Sequence, residues 1–335
     1  MSVFRKTAAA AAMLAALSCT EDRLEITDGE TVPVTITIGT AMAETKAAPD
    51  ENKISDLNLF VFSEDGRIED FLWVSGRDLK KKTDLSFTVN LVRGVKTGLA
   101  CCANFGFKLS SVKSREDLAD YRYTLAYPDE YSGGLPMYAS MDKVFSKSDN
   151  TASLELKRLM AKISLRMDRG GLDEGVELSV KSVAIGNCPK SVVLEGQSSV
   201  TRESDTFGTS LTGNIFNASA LNVEESYGVS EAVNLYMLEN MQGDLLDDTV
   251  DDSEKILTGS MAGVCSYIEL KCDYQSSFAY TRPGEYLIYR FYLGESSCNF
   301  DIERNCRYSI TIQPHGTGLE DVSWRVDTSG VEGSD

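Results

Sequence analysis

Thr31-Val32-Pro33-Val34-Thr35-Ile36-Thr37-Ile38 alternates apolar and hydroxyl side chains with a period of two. That spacing places Val32, Val34, Ile36 and Ile38 on one face and the threonines on the other, the mark of a half-buried β-strand. Pro33 has no amide hydrogen to give to a ladder, so the strand reads as an edge strand. A polar, alanine-rich stretch follows over residues 39–53, with Pro49 inside it, and reads as an exposed loop. Strand-like runs continue at residues 54–62, 71–74, 86–91 and 96–104, with Asp65-Gly66 marking a tight turn. Further runs lie at residues 154–167, 176–185, 233–238, 266–274, 284–293, 307–313 and 322–326. One short helix is expected from Ser114, with Glu116 and Asp117 in its first turn. Many short strands separated by loops describe an all-β sandwich protein and exclude βαβ units.

Ahead of these strands stands a short leader. Arg5 and Lys6 precede a small apolar run, residues 8–17, and then Ser18 and Cys19. A basic start, a short apolar core and a small residue at the cut make a secretory signal. The run is well short of the ~20 residues that span a bilayer. Leu17-Ser18-Cys19 resembles a bacterial lipobox, which implies a mature chain that begins at an acylated (palmitate-type) Cys19. Thr20, Glu21 and Asp22 follow, and this acidic pair resembles the signal that sends some Bacteroidetes lipoproteins to the outside of the outer membrane.

Composition narrows the function. The chain of 335 residues is 42% hydrophobic and 9% aromatic, enough for buried cores in two domains. Its net charge of −18 is a poor surface for nucleic acid, which needs basic stripes. Seven of the eight cysteines remain if Cys19 carries lipid, and none has C-x-x-C spacing. Cys101 and Cys102 should face opposite sides of one strand, and Cys298 and Cys306 sit where a hairpin bridge is conceivable. The one histidine, His315, lies in Pro314-His315-Gly316 and reads as a loop residue. The acidic stretch 244–254 lacks the spacing of a calcium loop. No hydrolase, zincin, P-loop or dinucleotide motif is present, so no catalytic residue, metal ligand or cofactor is assigned.

The leader occupies residues 1–18. The polar stretch 146–151 suggests a division of the rest into a first domain, 19–150, and a second, 151–335. No internal sequence repeat is visible. The second half holds Arg158-Leu159-Met160-Ala161-Lys162-Ile163, Tyr236-Met237-Leu238-Glu239-Asn240-Met241-Gln242-Gly243 and Tyr289-Arg290-Phe291-Tyr292-Leu293-Gly294. Then come Asn299-Phe300-Asp301-Ile302-Glu303-Arg304-Asn305, Tyr308 and Trp324-Arg325-Val326-Asp327, with Gly134-Leu135-Pro136-Met137 ahead of them. In this order they resemble the Bacteroidetes fimbrillin superfamily, in its lipoprotein branch with a C-terminal domain of unknown function. The resemblance implies two tandem transthyretin-like β-sandwiches and a structural subunit (shaft, tip or anchor) of a cell-surface fimbria. It implies other fimbrial subunits as partners, the outer membrane as a lipid contact and a host or bacterial surface as the ligand.

Polymerising members of that superfamily lose an N-terminal strand to a protease, and a strand from another subunit takes its place. Carried over here, the exchanged strand bears Val32, Val34, Ile36 and Ile38. The processing loop offers Lys46 and Lys53 but no arginine. Either a protease of other specificity cuts it, or the chain stays uncut as an anchor or accessory subunit. The alternative reading is a surface glycan-binding lipoprotein, for which Tyr121, Tyr123, Tyr127 and Tyr131 would form an aromatic platform beside Trp73 and Trp324.

Cys19→Ala tests the leader. The variant is expected to leave the membrane fraction for the soluble one, because no other segment reads as an anchor. A variant that still sediments with membranes rules out lipid attachment at this cysteine.

Overall fold

A computed structural model describes residues 29–40, 49–80, 85–128, 130–131, 133–208, 215–222, 228–248, 255–319, 325–327 and 329–333. The first part of the chain forms β1 (Thr31–Thr40), β2 (Leu57–Phe62), β3 (Ile68–Val74), β4 (Ser86–Val92), β5 (Lys96–Ala103), β6 (Arg122–Thr124), β7 (Met137–Val144) and β8 (Thr151–Arg158). Seven of these make one continuous ladder in the order β3-β2-β5-β7-β8-β1-β4. Strands β7 and β8 touch only through Met137–Arg158 and Tyr138–Lys157. The sheet folds over at this corner, so β3-β2-β5-β7 faces β8-β1-β4 across a shared core. Ile36, Ile38, Leu57, Leu59, Leu99, Cys101, Leu154 and Leu156 belong to that core.

The second part contributes β9 (Met160–Met167), β10 (Glu177–Gly186), β11 (Ser191–Val193), β12 (Val233–Leu238), β13 (Tyr267–Gln275), β14 (Ala279–Thr281), β15 (Leu287–Tyr292), β16 (Arg307–Ile312), β17 (Arg325–Asp327) and β18 (Val331–Gly333). One layer runs β12-β9-β16, and the other runs β17-β15-β13-β14-β18 with β10 also on β13. Both parts are β-sandwiches of the transthyretin-like kind, in tandem.

The two sandwiches repeat one topology that the sequence hides. In the first, β1 pairs antiparallel with β4 and parallel with β8. In the second, β9 pairs antiparallel with β12 and parallel with β16. The facing layers match too: β2 to β5 to β7 corresponds to β10 to β13 to β15. In each sandwich the first strand is the middle of a three-stranded layer.

Residues 154–167 are two strands, not the one run expected. In β8 the even positions Ala152, Leu154 and Leu156 are buried, whereas in β9 the odd positions Ala161, Ile163 and Leu165 are. A one-residue phase slip moves every side chain to the other face. The slip falls at Leu159, whose N–H donates to the Pro136 carbonyl at 2.8 Å. Thr151–Arg158 therefore belongs to the first sheet, and the second sandwich starts at Met160 rather than at residue 151. Leu159 and Met160 pack with Phe60, Phe62, Cys102, Val192 and Leu238 in a separate cluster between the sandwiches. The short ladder of β6 with β11 ties the two together there as well.

The helix expected from Ser114 is present at Arg115–Ala119, with the Ser114 hydroxyl accepting from the Asp117 amide at 3.0 Å. Cys101 and Cys102 face opposite sides of β5, one into each cluster. Burial pushes the Cys265 and Cys272 thiols up to about 12. Cys298 and Cys306 are unbonded, so the hairpin bridge is not formed. Among the described residues no helix is long and apolar enough to cross a membrane.

Ile163 is fully buried in the larger core. Ile163→Asp would place an unpaired charge there, and a loss of about 3–5 kcal/mol is expected. Chemical denaturation followed by tryptophan fluorescence and far-UV dichroism measures it; a wild-type midpoint would contradict the packing.

Candidate strand-exchange site

Strand β1 is not an edge strand. It lies between β4 and β8 and carries ladders on both sides, from Thr31–Val92 to Thr37–Ser86 and from Thr35–Thr151 to Thr40–Leu156. The Ile38 amide donates to Leu85 and the Arg93 amide to Glu30, so even-numbered residues of β1 turn their amides toward β4. Odd-numbered residues turn theirs toward β8, as the Thr35 amide does to Asn150. Pro33 is odd-numbered, and the β8 ladder begins only at Thr35. Its missing N–H therefore faces a place with no strand, and its carbonyl accepts from Asn150 Nδ2 at 3.0 Å. Proline is tolerated in a middle strand because that strand outruns one neighbour.

The four apolar side chains point into the core as their spacing implies. Val32, Val34, Ile36 and Ile38 are 2%, 0%, 0% and 4% exposed. At roughly 1.5–3 kcal/mol for each fully buried aliphatic side chain, β1 contributes on the order of 6–12 kcal/mol of burial. That equals the whole stability of an ordinary domain. Withdrawal of β1 would strip β4 of its strand partner among the described residues and open one side of β8. The gap would be a groove with two unpaired edges and an apolar floor. Its filler must run antiparallel to β4 and parallel to β8, with small branched residues at alternate positions.

Downstream of the loop the chain is pinned. Glu51 sits in a short 3-10 turn, Pro49–Asn52, against the junction of the sandwiches. Its carboxylate accepts from Lys162 Nζ at 2.6 Å and from the Tyr236 hydroxyl at 2.5 Å. Arg158, at the end of β8, donates from Nε to the Glu51 carbonyl at 3.2 Å and also to Asn52 Oδ1. Asn305 Oδ1 accepts from the Arg158 amide at 3.1 Å, in a left-handed turn of φ 60°. Burial raises the Glu51 carboxyl. The Lys162 and Tyr236 hydrogen bonds and the Lys162 and Arg158 charges outweigh it, and the net position is below the ordinary carboxylate range. Burial, with Glu51 as acceptor, holds the Tyr236 hydroxyl far above its usual range. The Lys53 carbonyl accepts from Asn104 Nδ2 at 2.8 Å, although the Lys53 side chain is exposed. Cys19 and Lys46 lie outside the described residues.

Arg158, Lys162, Tyr236 and Asn305 stand in the sequence motifs, but their meeting at Glu51 was not anticipated. One signal was available: Arg158 falls on the inward phase of β8. Two other motif residues form a second buried pair. Arg304 donates from Nε to Glu239 Oε2 at 2.9 Å and from its terminal nitrogen to Oε1 at 2.6 Å. It also donates to the Val193 and Gly196 carbonyls.

The tyrosine platform is not assembled. Tyr123 is buried, Tyr121 and Tyr131 pack against the cluster between the sandwiches, and Tyr127 alone of the four is exposed. Trp73 is half-buried, and Trp324 lies outside the described residues. His315 is exposed and packs over Gly171, where a Cβ would stand 2.5 Å from Nδ1. Among the described residues no group of histidine, cysteine and carboxylate side chains is placed to hold a metal ion.

A family model described as a domain of unknown function, DUF4906, matches residues 235–312. No curated protein matches the chain. A solved structure of a candidate cell adhesion protein from Bacteroides eggerthii is similar at a TM-score of 0.58 and 14% identity, over 94% of this chain and 96% of that one. The C-terminally truncated tip fimbrial protein of Porphyromonas gingivalis is similar at 0.52 and 15% identity, over 90% and 99%. A candidate cell adhesion protein from Parabacteroides distasonis is similar at 0.51 and 16% identity, over 90% and 98%. At these identities the likeness is one of fold.

The pin is testable. Lys162→Met leaves the Glu51 carboxylate buried without its cation, and a loss of about 3 kcal/mol at neutral pH is expected. The lowered Glu51 value means that its contribution is complete above the unfolded carboxylate value of about 4.3 and fades as pH falls through the native one. Wild-type and variant stabilities should therefore converge toward acid; parallel curves down to pH 3 would exclude the ion pair as the cause.

Proposed function

We propose that this chain is a structural subunit of a cell-surface fimbria, exported as a lipoprotein through Cys19 and assembled by β-strand addition. The observation that carries the reading is the place of β1. It is the middle strand of a three-stranded layer, held by two ladders and four buried side chains, and a polar loop joins it to the pinned turn at Glu51. A strand in that position can be replaced only by another strand, since nothing else restores both ladders. The fold shared with a tip fimbrial protein and with candidate adhesion proteins supports the same assignment.

Processing falls at Lys46 on this reading. Lys53 is set in backbone whose carbonyl is already bonded, behind the Glu51 pin, and a protease needs extended chain. After the cut the new terminus stays fixed at the junction, and only β1 is free to leave. Its burial makes spontaneous loss rare, so exchange proceeds through displacement by an incoming strand. Other subunits of the fimbria supply that strand, and the lipid holds the base of the assembly, or an unprocessed copy, at the outer membrane.

Limited digestion with a lysine-specific protease, followed by size-exclusion chromatography, tests the proposal. Chain cut between residues 39 and 53 is expected to form oligomers on incubation, with loss of the β1 peptide, while uncut chain stays monomeric. Cut chain that keeps the peptide and stays monomeric, in the presence of other fimbrial subunits as well, overturns strand exchange.

A further inference from the structure

The second sandwich differs from the first at one corner. In the first, β7 and β8 pair and close the turn between layers. Their counterparts β15 and β16 share no ladder among the described residues, and a cleft of about 650 Å³ opens there. It lies between residues 290–296 and 310–312, with residues 255–263 as its outer wall. A small separate core of Val200, Leu257, Val264, Cys265 and Phe300 supports that wall. Among the described residues the first sandwich has no such addition.

The wall is rigidly held by motif residues. Asn240 Nδ2 donates to the Val264 carbonyl at 2.9 Å, and the Gly243 amide donates to Asp301 at 2.6 Å. Gly294 approaches the Asn299 carbonyl so closely that a Cβ would stand 1.9 Å from it. The motifs that β1 and its pin leave unexplained thus build one preformed concavity, of the size that small ligands occupy.

Its chemistry is selective. Tyr267 and Tyr292 line the cleft edge to face with ring centroids 6.0 Å apart, and the buried Phe300 backs Tyr292 at 5.8 Å. Arg290 is engaged by Glu269 at 2.5 Å. Lys255 is engaged by the Ser296 and Asn299 carbonyls and by the Phe300 ring. Glu203 and Glu295 are exposed, and among the described residues their carboxylates have no partner. Arg290 and Lys255 already commit donors to Glu269 and to two carbonyls, and a chain charge of −18 repels an anionic guest. Free carboxylates beside aromatic rings take hydroxyl donors carried on an apolar C–H face. The two cations inside the cleft act against a cationic guest. We infer that the cleft between β15 and β16 binds a neutral carbohydrate.

Saturation-transfer NMR on the intact chain tests this with galactose, fucose, N-acetylglucosamine and N-acetyllactosamine. N-acetylneuraminic acid and a lysine-rich peptide serve as contrasts. Transfer to at least one neutral sugar is expected. A chain carrying Glu203→Gln and Glu295→Gln should bind it about tenfold more weakly with unchanged melting, because both side chains are exposed. Tyr292→Leu should weaken it as well. Absence of transfer to every neutral sugar, binding confined to the acid or the peptide, or undiminished binding in both variants overturns the inference.

Discussion

Thr35 through Thr40 run beside Thr151 through Leu156 in the same direction, and this parallel ladder closes the first sandwich. Every other strand of that sandwich lies between the two in sequence. Without the ladder, the layer of β4, β1 and β8 has no middle, and the core under Ile36 and Ile38 has no lid. The second sandwich repeats the device with β9 and β16. The difference between them is covalent. Both ends of β9 continue into the folded chain, through Leu159 on one side and residues 168–176 on the other, so it has nowhere to go. Strand β1 is the first of the described strands, and residues 41–48, between it and the Glu51 pin, lie outside the described residues. On the strand-exchange proposal, β1 is the replaceable strand and β9 is not.

The identity of β1 was legible because valine and isoleucine fall at every second position over eight residues, with threonine between them except at Pro33. Its place was not. Pro33 argued for an edge, and the argument is locally true: no strand faces its nitrogen. Sequence carries no information on where β8 begins relative to β1, and that offset decides the matter. The division of the sandwiches was hidden for a related reason. Residues 146–150 are polar because they lie in the turn between β7 and β8, within one sheet, whereas the actual break at Leu159, between Arg158 and Met160, is buried and carries no turn residue. Only the slip from even to odd burial marks it.

The motif residues separate into two kinds of work. Arg158, Lys162 and Tyr236 gather at Glu51, with Asn305 holding Arg158, and fix the sandwiches to the Pro49–Asn52 turn. Asn240 and Asn299 hold the added wall of the second sandwich, and Gly243 and Asp301 brace the turn that carries Asn299. Buried charge is expensive unless paired, and both ion pairs here are hydrogen-bonded on several sides. Such networks specify one arrangement more than they add stability, which suits loops that must keep their shape without strands.

The parallel ladder also sets an order of folding. Strand β1 is made early and β8 more than a hundred residues later, so their pairing closes a long loop and forms late. As the chain is made, β1 comes first, and its apolar face stays uncovered until Thr151–Arg158 is available to pair with it. The ladder that completes the first sandwich is therefore among the last to be seated. Until β8 is available, the alternating apolar face of β1 is open to any other strand, and aggregation at that stage is the hazard that the fold's connectivity builds in.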